Sequence, residues 1–111
     1  MKQNKTSLMN NFYELNNELQ KLELDLQPVN SFEDLRNSLV NTVSLLITNN
    51  FGKLVSVLYR IDVNENRLRN LLKNTEADSA SVIADLIIER QFQKIEARKQ
   101  FNSSMDSEEE K

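Results

Sequence analysis

Along most of the chain, apolar residues recur at the three- and four-residue intervals of an α-helix. The densest cluster is Val82, Ile83, Ala84, Leu86, Ile87 and Ile88, inside a stretch from Asp78 to Phe101 that holds no helix breaker. At about 100° of turn per residue these side chains wrap more than half a helix circumference, so the pattern predicts a central helix covered by several partners. In its second half Arg90, Lys94 and Arg98 continue the line begun by Ile83 and Ile87, so the core-facing stripe turns basic before Phe101 closes it.

The cleanest periodicity lies between Ser7 and Gln27, where Leu8, Phe12, Leu15, Leu19, Leu22 and Leu26 alternate spacings of four and three. This is a heptad seam, capped by Thr6 or Ser7 and stopped by Pro28. Its flanking positions are Met9, Asn16 and Glu23 on one side and Asn11, Glu18 and Asp25 on the other, none of them positive. Pairing with a copy of itself through residues 8–26 would set acid against acid and is disfavoured. An acid-bordered seam suits a basic neighbour, and Arg90, Lys94, Arg98 and Lys99 form the concentrated positive stripe of the chain. The first helix is therefore expected beside the second half of the last. The competing reading makes it an amphipathic arm that another protein receives.

Between these two segments, Ser31-Phe32-Glu33-Asp34 has the form of a capping box and opens a second helix bearing Phe32, Leu35, Leu39, Val40, Val43, Leu46 and Ile47. A break at Asn49-Asn50-Phe51-Gly52 is favoured over one helix running to Ile61, because Asn and Gly suit helix ends and Asn50 is a good N-cap. Phe51, Leu54, Val55, Leu58 and Ile61 then resume a helical stripe. Asp62-Val63-Asn64-Glu65 repeats the capping pattern before a short helix with Leu68, Leu71 and Leu72, and residues 75–78 form a loop. The organisation expected is a heptad-patterned helix in 1–30, a compact helical domain over 31–102 and a disordered acidic tail over 103–111.

Length and composition narrow the class. A chain of 111 residues fits one domain with one core. One Gly and one Pro leave little turn chemistry for a many-stranded sheet, so the fold class is all-α, a small four- or five-helix bundle-like domain around a long C-terminal helix. A net charge of −3 gives no overall attraction to phosphate backbones or anionic membranes. The absence of Cys and His removes disulfides, thiolate metal sites and the commonest general base. A polar N-terminus and apolar runs far short of about 20 residues argue against a leader or a membrane span, and point to the cytoplasm.

Chemistry-bearing groups are few. Residues 51–74 have the outline of a helix-turn-helix, with Arg67, Arg69 and Lys73 on the second helix facing a groove. Against it, the turn lacks glycine and Arg67 and Arg69 do not share a helix face. Asp85, Glu89 and Glu96 line one side of the last helix, but a di-metal bundle site draws Glu-x-x-His pairs, so a solvated acidic face is the better reading. Catalysis would rest on Asp, Glu, Lys, Tyr13 or Tyr59 with no motif among them, so neither enzyme, metal nor cofactor is expected. The basic stripe admits three readings: an intrachain dock for the first helix, a solvated face, or a dock for an acidic partner with which the tail competes.

Two segments, Leu58-Tyr59-Arg60-Ile61-Asp62-Val63-Asn64-Glu65 and Leu86-Ile87-Ile88-Glu89-Arg90-Gln91, resemble stretches of small uncharacterised all-helical bacterial proteins. The resemblance implies that residues 51–101 form the compact unit, with the N-terminal third an addition, and implies no activity or ligand. The function expected is a non-enzymatic cytosolic protein–protein interaction or adaptor module using helix surfaces. The alternative is a small nucleic-acid-binding regulator using Arg67, Arg69 and Lys73.

Overall fold

The structure, a computed structural model, describes residues 12–27, 29–74 and 77–109, with side chains through residue 100. Among these residues the fold is all-α: helix α1 over residues 12–20, α2 (Phe32–Asn49), α3 (Phe51–Arg60), α4 (Glu65–Asn74) and α5 (Ser79–Glu109). The long C-terminal helix is central, with α2 and α4 packed on it and α3 packed on α2.

Caps set these boundaries. The Ser31 hydroxyl accepts from the Asp34 amide at 3.1 Å to start α2. Asn50 both closes α2 and opens α3, donating its amide to the Leu46 carbonyl and accepting from the Lys53 amide through its side chain. The break expected at Asn49–Gly52 is therefore present, and residues 31–61 form two helices.

At its other end α3 finishes in a Schellman motif, in which the amides of Asp62 and Val63 bond the Tyr59 and Leu58 carbonyls. Asp62 holds φ at 63°, the position glycine usually takes. The cap of α4 is accordingly Asn64, whose side chain accepts from the Arg67 amide at 2.9 Å.

The core draws on every described helix except α4. Leu15 and Leu19 of α1, Leu35, Leu39 and Val43 of α2, Leu54 and Val57 of α3, and Ile83, Ala84, Ile87, Ile88 and Ile95 of α5 are buried in one cluster. The compact unit therefore reaches well before residue 51, and α1 is part of it. Along α5 the buried line continues from Ile83 and Ile87 through Gln91 and Ile95, with Arg90 and Lys94 only partly buried at its edge. This corrects the expectation that the core-facing stripe itself turns basic.

Two further corrections concern helix ends. α1 stops near residue 20, where the Leu22 and Glu23 amides bond carbonyls only three residues back. From there Leu22, Leu24 and Leu26 are buried while Glu23, Asp25 and Gln27 are exposed, forming a non-helical strap with positive φ at Glu23 and Asp25. At the other terminus the α5 backbone remains helical to Glu109, beyond the Phe101 expected, since a helix once nucleated adds one hydrogen bond for each residue fixed. α4 buries none of its residues, and its Leu68 and Leu71 are only half covered.

Candidate functional site

The residues singled out from sequence are mostly spoken for within the chain. Leu15, Leu19, Leu22 and Leu26 of the heptad seam are buried, Phe12 packs against the core from its edge, and Leu8 lies outside the described residues. The acidic flank of α1 meets the basic end of α5, with the Arg98 guanidinium 2.9 Å from Glu18 and the Lys99 ammonium 3.5 Å from Glu14. Glu18 also receives Lys21 at 2.8 Å. That hydrogen bond, followed by the charge of Arg98, holds the Glu18 carboxyl below its ordinary value against the opposing effect of burial.

Arg90 serves the same inward purpose by another route. Its Nε donates to the Ile61 carbonyl at 2.9 Å and its guanidinium approaches Asp62, so a cation from α5 closes the C-terminal end of α3. Lys94 forms no ion pair among the described residues. Of the basic stripe, Arg98 and Lys99 dock α1, while Arg90 is turned to the end of α3.

The acidic side of α5 is paired as well, which departs from a merely solvated face. Asp85 takes a bidentate Arg36 fork at 2.7 and 3.0 Å, tying α5 to α2 and raising the Arg36 pKa through those hydrogen bonds. Glu89 takes Arg67 at 2.6 Å, tying α5 to α4. Glu96 is exposed, and no group of three or more acidic, His or Cys side chains among the described residues is arranged to hold a metal ion. Arg69 is held by Glu65 one turn earlier, so of the candidate phosphate contacts only Lys73 lacks an ion pair among the described residues.

A cleft of about 360 Å³ opens between the α3–α4 turn and α5, lined by Asp62, Asn64, Arg67, Glu89 and Arg90 among others. Its charged groups are engaged with one another or with backbone, leaving no set aimed at a ligand.

Apart from Leu72 of α4, the exposed large apolar side chains without a ring contact among the described residues lie on α2 and α3. Leu45, Phe51, Val55 and Tyr59 are exposed at 62%, 58%, 48% and 88%. Phe51, Val55 and Tyr59 follow one another at four-residue steps and so form one row along α3. The surrounding sequence is short of charge: from Asn37 to Ile61 only Lys53 and Arg60 are ionisable as acids or strong bases, where the chain average of 28% would place about seven charged residues. Depletion of charge with exposed aromatic side chains is the compositional mark of an interface core. The helical stripe expected from Phe51, Leu54, Val55, Leu58 and Ile61 divides, with Leu54 and Ile61 buried and Phe51 and Val55 exposed, and the run without acids is the signal in the sequence that marks the open side.

No protein-family model matches the chain, and neither a curated protein nor a solved structure matches it.

Proposed function

We propose that this chain is a non-enzymatic protein–protein interaction module, and that its binding face is the exposed α2–α3 surface rather than the seam of α1 or the basic end of α5. The observation that carries this reading is the row Phe51, Val55 and Tyr59, left open to solvent inside a 25-residue run without a single acid. Single exposed apolar residues are ordinary, but an aligned row in a charge-poor surround is the kind of patch that a partner covers. The seam of α1 supports the same choice by exclusion, because Leu15 and Leu19 would have to leave the core to serve another chain.

The nucleic-acid alternative gains no support, since Arg67 and Arg69 each already hold a carboxylate. A cytoplasmic setting is part of the proposal and fits a chain without cysteine. No helix among the described residues is long and apolar enough to cross a membrane.

Site-specific photo-crosslinking in the native host tests the reading. A photoreactive side chain at Tyr59 should give a discrete adduct with another protein, while the same group at Asn66 on the exposed face of α4 should give none. No adduct at Tyr59, or the same adducts at both positions, would overturn it.

A further inference from the structure

The chemistry of the occupant follows from how the residues of α3 are distributed around its axis. Leu54, Val57 and Ile61 are buried. At about 100° per residue, Phe51, Val55 and Tyr59 lie on one flank of the outward face, Lys53 and Arg60 lie on the other, and Gly52 and Ser56 run between them. The helix carries no acid at all. The outward face is therefore an apolar row and a basic row separated by a ridge of small side chains.

Gly52 is the only glycine in the chain and is the second residue of α3, in the first turn after the Asn50 cap, where the amides have no partner in a preceding turn. Its φ is not in the left-handed region, and a Cβ added there would meet only the Asn50 side-chain oxygen, at 3.9 Å. With no side chain at the middle of the outward face, the α3 backbone is open there to close approach from outside the chain.

Resting on the interaction-module reading, we propose that α3 docks an amphipathic helix of a second, different protein. That helix crosses the Gly52–Ser56 ridge, lays its apolar stripe on Phe51, Val55 and Tyr59, and sets an acidic edge against Lys53 and Arg60. Charge complementarity selects this occupant over a second copy of the chain. Two α3 helices related by a two-fold axis in antiparallel order would face basic row to basic row, and in parallel order would face each basic row to an apolar one. Neither arrangement satisfies both rows, whereas an acid-edged helix does. A lipid surface would use the apolar row, but it gains nothing from the ridge and finds only two cations to hold.

The test uses the full chain and two labelled peptides of about 20 residues, long enough to form helix on contact. Both carry the same leucine stripe, one with a glutamate edge and the other with a lysine edge. By fluorescence anisotropy the glutamate-edged peptide should bind about tenfold more tightly, the margin that two exposed ion pairs together supply. The double variant Lys53→Glu/Arg60→Glu should reverse the preference. Gly52→Leu should weaken binding of the glutamate-edged peptide at least about tenfold while the melting temperature holds or rises, which separates a blocked ridge from a damaged fold.

Equal binding of both peptides, with Val55→Glu abolishing each, would overturn the acidic partner while leaving the interaction reading intact. Binding of neither peptide would overturn the inference too, and the crosslink at Tyr59 then judges the interaction reading by itself. A dimer in sedimentation that Val55→Glu dissociates would assign the row to a second copy and sink the proposal. Preferential binding to phosphatidylserine vesicles over the glutamate-edged peptide would sink it equally.

Discussion

The Arg98 guanidinium donates to the Glu18 carboxylate at 2.9 Å across 80 residues of sequence, joining the first described helix to the last. The Glu18 side chain is 15% exposed and that of Arg98 55%, so solvent and salt reach the pair from the arginine side. In a double-mutant cycle of Glu18→Gln and Arg98→Gln the coupling should be about 1 kcal/mol and should shrink as salt is added. Because the folded Glu18 carboxyl lies below its ordinary value of 4.5, the stability it adds is complete above that pH and is lost as pH falls through the lower folded value. Urea titrations from pH 7 downward should show a shallower acid decline for Glu18→Gln. Charge reversal at Glu23 or Asp25, both exposed and without an ion pair among the described residues, should have little effect.

Docking of α1 is chiefly apolar. Leu15 and Leu19 are fully buried, and truncation of a buried leucine to alanine costs about 2–5 kcal/mol. Leu15→Ala should lower the urea midpoint accordingly. A loss under about 0.5 kcal/mol, as expected for a solvent-exposed arm, would refute the docking.

The strap offers a test whose sign separates two conformations. Glycine in a helix interior costs about 0.5–1 kcal/mol relative to alanine, whereas at a left-handed position it relieves the Cβ contact. Glu23 and Asp25 have φ of 58° and 57°. Glu23→Gly and Asp25→Gly should therefore leave stability unchanged or raise it, and Glu23→Val should lower it. A thermal melt of each variant reads the sign.

Arg90 closes α3 with a charge-assisted hydrogen bond to the Ile61 carbonyl, a class of bond that contributes about 1.5–3 kcal/mol. Arg90→Leu should destabilise by an amount near the lower end of that range. Hydrogen exchange should show the loss first in the amides of Asp62 and Val63, which complete the same turn.

A retardation series on DNA and RNA from low to high salt addresses the alternative function. Phosphate contacts give a log–log slope of roughly −0.9 per contact on duplex DNA. With Arg67 and Arg69 held by Glu89 and Glu65, no retardation is expected at any salt concentration. Retention with a steep slope, abolished by Arg67→Ala, would reinstate that reading.

Local chemistry was legible in the sequence where one side chain decides the outcome. Ser31 and Asn50 announce their helix starts because each oxygen has one amide within reach, and the run Ile83, Ala84, Leu86, Ile87 and Ile88 announces its burial because Asp85 is the one polar side chain it leaves to solvent. The end of α1 was not legible, for a specific reason. Leu22 and Leu26 point inward on a continued heptad and also on an alternating strap, so only the burial of Leu24 separates the two. Asp62 was misread in the same way, since an aspartate ahead of a helix resembles a cap and here terminates the helix before it. The α3 surface was hidden because periodicity says which residues are apolar, not how many neighbours exist to cover them. Only the assembled fold shows α3 covered along one side.

Asn50 is the whole of the joint between α2 and α3, with no slack on either side of it. Inserting one residue there would roll α3 by about 100° against its neighbour, exchanging the side that belongs inside for one that does not. The phase of the outward rows is thereby locked to the phase of the core. Evolution can repaint this face by substitution, but it cannot slide or lengthen the hinge that presents it without unpicking the interior.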